Sequence, residues 1–175
     1  MFSKYKHMIG ALPTEKFTIA TYLEPEKVKD KLLTFVEPYQ SIRFNLPFTS
    51  PEKAYEGRVE NSFFEIRRIS VNRKKINLPI VEGRVYLRGR GSIIEVTIRP
   101  DTLFKYVGLL INFVFMPITV IGSLFLLMSE DINTRDTAKH TLYLPVFILI
   151  AEFIERETFK SDIRKDKQFL LEIFD

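Results

Sequence analysis

The side chains that could do chemistry are few, and the densest group of them is basic. Arg67 and Arg68 are followed by Arg73, Lys74 and Lys75. Cations gathered at a turn between strands suit lipid headgroups or another anion, against the plainer reading of a solvated turn. Nucleic acid is not expected there, because the nearby aromatics fall at core-like positions rather than along an exposed stacking platform. Further along, Asn112 and Glu152 are the polar groups nearest the middle of an apolar C-terminal half. An ionisable group inside a bilayer is a functional candidate by default. Glu152, however, closes an apolar run and is expected at the membrane boundary, within reach of water. Gly108, Asn112, Thr119 and Ser123 make a stripe of small and polar residues suited to close helix–helix packing in a membrane.

Other chemistry is poorly supplied. The chain has no cysteine, so neither a disulfide scaffold nor a thiolate metal site is available. His7 and His140 stand far apart, and the serines have no local histidine. Glu82 and Glu95 lack an arguable pocket. Gly57 and Gly83 each follow a glutamate and open a strand. A phosphate cradle needs consecutive glycines before a helix, so both are expected to be turn or bulge glycines. Arg88-Gly89-Arg90-Gly91 is expected to be a tight hairpin turn. No catalytic residue, cofactor or metal is expected, and the chain does not read as an enzyme.

These residues must be positioned by two very different stretches of chain. Residues 1–105 carry 19 Lys and Arg against 12 Asp and Glu, so the basic excess lies there although the whole chain has net charge +4. From Tyr106 to Met128 the only ionisable side chain is Tyr106 itself. Such segregation means that the two stretches face different solvents. Residues 1–16 are expected to be a lead-in segment without the apolar core of a cleaved secretory leader. Residues 17–102 read as a cytoplasmic α+β domain. Phe17, Ile19, Thr21 and Leu23 alternate as in a half-buried strand. The run Glu24–Pro38 predicts a helix, with Pro25 in its first turn, a stripe of Val28, Leu32, Phe35 and Val36, and Pro38 as its stop. Ile42, Phe44, Leu46 and Phe48 suit a short strand. An antiparallel meander of three strands follows, within residues 55–70, 80–89 and 92–100.

Residues 103–155 predict a two-helix membrane hairpin. Tyr106–Met128 is 23 residues, enough to cross a hydrocarbon core of about 30 Å with some tilt. Thr141–Ala151 is shorter and reaches Ile154 only if Glu152 is admitted; a re-entrant or interfacial helix competes there. Cationic residues flank the spans, while the intervening turn holds only Arg135 and Lys139. Both termini are therefore expected in the cytoplasm. Residues 156–175 predict an amphipathic tail helix, with Phe159, Ile163 and Leu170 near helical spacing, docked on the sheet domain or lying along the membrane.

Tyr55, Gly57, Phe64, Ile66, Arg68, Pro79, Val81 and Gly83 follow a pattern of aromatic-x-Gly, Phe-x-Ile-x-Arg, a basic turn and Pro-x-Val-x-Gly ahead of two spans. In this the chain resembles a family of small uncharacterised bacterial membrane proteins. The resemblance covers roughly residues 17–175 and implies a location in the bacterial inner membrane. It implies no activity. Two functions fit: a membrane-anchored binding or scaffolding module, or an oligomeric, channel-like effector subunit gated by its cytoplasmic domain. The expected partners are the lipid bilayer, a second copy through the helical hairpin, and a protein or apolar ligand at the cytoplasmic domain.

Overall fold

The computed structural model describes residues 12–39, 53–69, 77–128, 131, 141 and 143–174. It is α+β. The sheet is built from β1 (Glu15–Thr21), β2 (Val36–Pro38), β3 (Tyr55–Val59), β4 (Phe63–Arg68), β5 (Ile80–Arg88) and β6 (Gly91–Arg99). The helices are α1 (Pro25–Phe35), α2 (Thr102–Leu110), α3 (Met116–Leu127) and α4 (Tyr143–Phe174), with a π-helical turn at Ile111–Phe115 joining α2 to α3. Two compact units result. A sheet unit comprises Pro13–Asp101 and Phe159–Asp175; a helix unit comprises Met1–Leu12 and Thr102–Thr158.

In the sheet unit the strand order is β1-β6-β5-β4-β3-β2. Every pairing is antiparallel except the parallel edge pair of β2 and β3. Alternation decides the faces. Ile94, Val96 and Ile98 of β6 are buried with Val81 and Val85 of β5 and with Phe64 and Ile66 of β4. Helix α1 covers part of this face through Val28 and Leu32. The last carbonyls of a helix lack helical partners, and here an outside donor serves its end: Lys53 Nζ donates to Leu33 O (2.5 Å) in the last turn and to Val36 O (3.2 Å) just beyond it.

The tail docks on the same face. Phe159, Ile163, Leu170 and Ile173 of α4 are buried there. The Phe169 ring stacks on Tyr55 at 4.3 Å and meets Phe35 edge-on at 5.6 Å. The tail thus packs with the sheet unit.

Several expectations need correction. Residues 55–70 hold two strands, β3 and β4. Glu60, Asn61 and Ser62 interrupt the apolar alternation and turn the chain, with Glu60 N–H donating to Phe63 O at 2.8 Å. Val36 is the first residue of β2, buried beside Tyr55, rather than part of the helical stripe. The strand expected around Ile42–Phe48 lies outside the described residues.

Gly57 and Gly83 sit inside strands, not in turns or bulges. Each is required by what approaches it from the neighbouring strand. A Cβ on Gly83 would stand 2.0 Å from Phe64 Cζ, and one on Gly57 would stand 2.0 Å from the carbonyl oxygen of Glu65. The turn glycine is Gly89, between β5 and β6, at φ +61° with nothing within 4 Å of an added Cβ. Its demand is therefore purely conformational. Gly89→Ala is expected to cost about 1 kcal/mol, read as a shift of the urea midpoint without a change in slope.

In the helix unit, Tyr106–Leu127 is the one helix among the described residues that is long and apolar enough to cross a membrane, with a mean hydropathy of 2.2. Of the two helices of the expected hairpin, one passes this test of length and composition among the described residues. The second predicted span is the opening of α4, a single 32-residue helix. Its apolar run ends at Ala151, and the helix continues into charged sequence. The π-helical turn has a local cause. Pro117 has no N–H for the carbonyl one turn back, and the widened turn, closed by Met116 N–H to Ile111 O, accommodates the missing bond.

Candidate functional site

The helix unit contains a cavity of about 570 Å³, within the span of roughly 300–1,000 Å³ usual for small-molecule sites. One wall comes from Val107 and Gly108 of α2, Ile111 and Phe115 of the π-helical turn, and Thr119 of α3. The opposing wall is α4, apolar at Leu144, Ile148 and Leu149 and polar at Glu152, Glu155 and Arg156. Beside it, Asn112 Nδ2 donates to Gly108 O at 2.9 Å and to Glu152 Oε1. That second bond brings the two polar groups of the apolar half together. It sets Glu152 level with Asn112, six residues inside the start of the membrane-length helix, or about 9 Å along its axis.

The other residues of the small-polar stripe are accounted for locally. Thr119 Oγ1 donates to Met116 O (2.8 Å), and the buried Ser123 donates to Thr119 O (2.7 Å). Both hydroxyls are satisfied on their own helix backbone.

The basic run is divided by the pleat. Arg67 lies on the face of the sheet opposite the tail of α4, where Nε donates to the buried Glu56 Oε1 at 2.8 Å and the guanidinium sits over Tyr39. Arg68 lies on the covered face, paired with Asp166 and 3.9 Å from Asp162. Arg73, Lys74 and Lys75 lie outside the described residues.

Around Arg68 is a buried ionic cluster that the sequence reading missed. Asp162 and Asp166 are 2% and 1% exposed. They occupy the same α4 stripe as Phe159, Ile163 and Leu170. Two acids one turn apart on an otherwise apolar face were the available signal. Tyr55 hydroxyl donates to Asp166 Oδ1 at 2.8 Å. Burial, opposed by Arg68, leaves the Asp166 carboxyl above its ordinary range. Burial together with the Asp166 charge also pushes the Tyr55 phenol up, so it stays a hydrogen-bond donor. Asp166 Oδ2 is buried without a hydrogen-bond partner. The cluster anchors the tail of α4 to the sheet. The cavity of the helix unit, by contrast, has room for a ligand.

No protein-family model, curated protein or solved structure matches the chain.

Proposed function

We propose that this chain is a membrane-embedded binding module, with the helix unit in the bilayer holding a ligand in its cavity and the sheet unit in the cytoplasm. The observation that carries the reading is exposure. Only 6% of the most apolar window of Tyr106–Leu127 is buried, and Phe113, Ile121 and Phe125 are open to the surroundings together with Phe147 and Ile154 of α4. An apolar surface of this extent is unstable in water and is what lipid tails cover. The flanking cations support an arrangement with both termini inside. An oligomeric, channel-like assembly has less support. Asn112, Thr119 and Ser123, the residues suited to its seam, hydrogen-bond within one chain.

The absence of cysteine makes the test clean. Asp131→Cys, beyond the end of α3, is expected to react with an impermeant maleimide on intact bacterial spheroplasts. Ser62→Cys is expected to react only after permeabilisation. The protein itself is expected to stay with membranes through alkaline carbonate extraction. A chain that is monodisperse in buffer without any amphiphile sinks the proposal.

A further inference from the structure

Along α4 the wall of the helix-unit cavity passes from Leu144, Ile148, Leu149 and Ala151, all apolar, to a stretch that holds Glu152, Glu155 and Arg156 with Phe153 among them. A ligand that matches it has an apolar body and a polar head of mixed charge. We propose that the cavity binds one phospholipid whose headgroup carries a primary ammonium, with an acyl chain beside Leu144–Leu149 and the head at Glu152–Arg156. The inference rests on the membrane-embedded reading above and names the ligand of that same site.

Size and charge both select this ligand. From Val107 to Thr119 the wall advances twelve residue steps, about 18 Å of helix axis, which suits one extended chain. Two carboxylates and one guanidinium on the polar stretch disfavour a head of purely negative charge. An ammonium next to a phosphate complements both signs. Glu152 has acceptor capacity for such a head. A carboxylate offers about four acceptor positions, and Asn112 Nδ2 takes one of them. A primary ammonium donates up to three hydrogen bonds, whereas a quaternary ammonium has no N–H and donates none. The site therefore separates two headgroups that have the same net charge.

The full chain, purified in a mild non-ionic detergent, is titrated with dioleoyl phosphatidylethanolamine or dioleoyl phosphatidylcholine and followed by native mass spectrometry. One phosphatidylethanolamine is expected to be retained, with a preference of about tenfold, the scale of one charge-assisted hydrogen bond. Glu152→Gln, which can still accept from Asn112 but lacks the charge, is expected to bring the ratio close to one. Ile148→Trp, which fills the cavity, is expected to remove retention of both lipids with helix content unchanged. Equal retention of the two lipids by the unaltered chain overturns the assignment, as does an undiminished preference in Glu152→Gln. If the lipids are not distinguished but detergent is still required, the membrane reading survives and only the lipid assignment falls.

Discussion

Arg68→Ala is expected to destabilise the sheet unit by about 3 kcal/mol at neutral pH, the low end of the cost of leaving a buried charge without its partner. The low end applies because the Arg68 side chain keeps 27% of its exposure, whereas Asp166 keeps 1%. The deficit should also depend on pH, in a direction fixed by Asp166. Burial raises its carboxyl above the ordinary 3.8, and Arg68 is the largest influence opposing that rise. A raised carboxyl holds its proton more tightly when folded than when unfolded. Its contribution to stability is therefore fully present below the unfolded value and is lost as pH rises through the folded one. Removing Arg68 raises the folded value further. The deficit of Arg68→Ala is then largest at neutral and alkaline pH and narrows as pH falls toward the carboxyl range. Adding Asp166→Asn should recover most of the loss at neutral pH, because the amide still accepts from Tyr55 and carries no charge, while Asp162 retains Lys165 at 3.8 Å. Urea denaturation of the full chain in mild detergent, followed by circular dichroism across pH, checks both. A deficit of the same size at every pH would remove Asp166 as its source.

That cluster marks where the sequence stopped being legible. β1, β5 and β6 could be read because each alternates without interruption and burial follows alternation. Gly89 could be read because a two-residue hairpin needs positive φ at a fixed place. α1 could be read from Pro25, Val28 and Leu32, all local to one helix. What stayed hidden depends on residues far apart in the chain. Tyr55 and Asp166 are 111 positions apart, and nothing near either announces the other. β2 is three residues long and exists only because Tyr55–Gly57 offers it an edge. Asn112 and Glu152 were each conspicuous as polar residues near an apolar middle, but their pairing is 40 positions long-range. The sequence shows Glu152 only as the residue that closes its own apolar run; its partner lies on another helix. The cavity has no sequence signature, since Val107, Ile111 and Leu144 look like any other residues of an apolar run until two helices leave a space between them.

The two strand glycines separate a clash that can be relieved from one that cannot. Gly57→Ala is expected to cost about 3 kcal/mol, the upper part of the range for overpacking. Its Cβ would meet Glu65 O at 2.0 Å and Ile66 Cα at 2.8 Å. Both are backbone atoms of the paired strand, and no rotamer change moves them. β3 would have to leave β4, loosening Tyr55 and the anchor of α4 with it. At Gly83→Ala the nearest atoms belong to a side chain, with Phe64 Cζ and Cε1 at 2.0 and 2.1 Å. Phe64 is fully buried, so the ring cannot swing out, and about 2 kcal/mol is expected for the single substitution. Phe64→Leu shortens the obstructing group. Combined with Gly83→Ala it should cost less than the two single changes added together, because the new methyl occupies space that the ring has vacated. Phe64→Leu should leave the cost of Gly57→Ala unchanged. Denaturation midpoints of the five variants decide the matter: additivity of Phe64→Leu with Gly83→Ala would mean that the ring does not fill the place of a Cβ on β5.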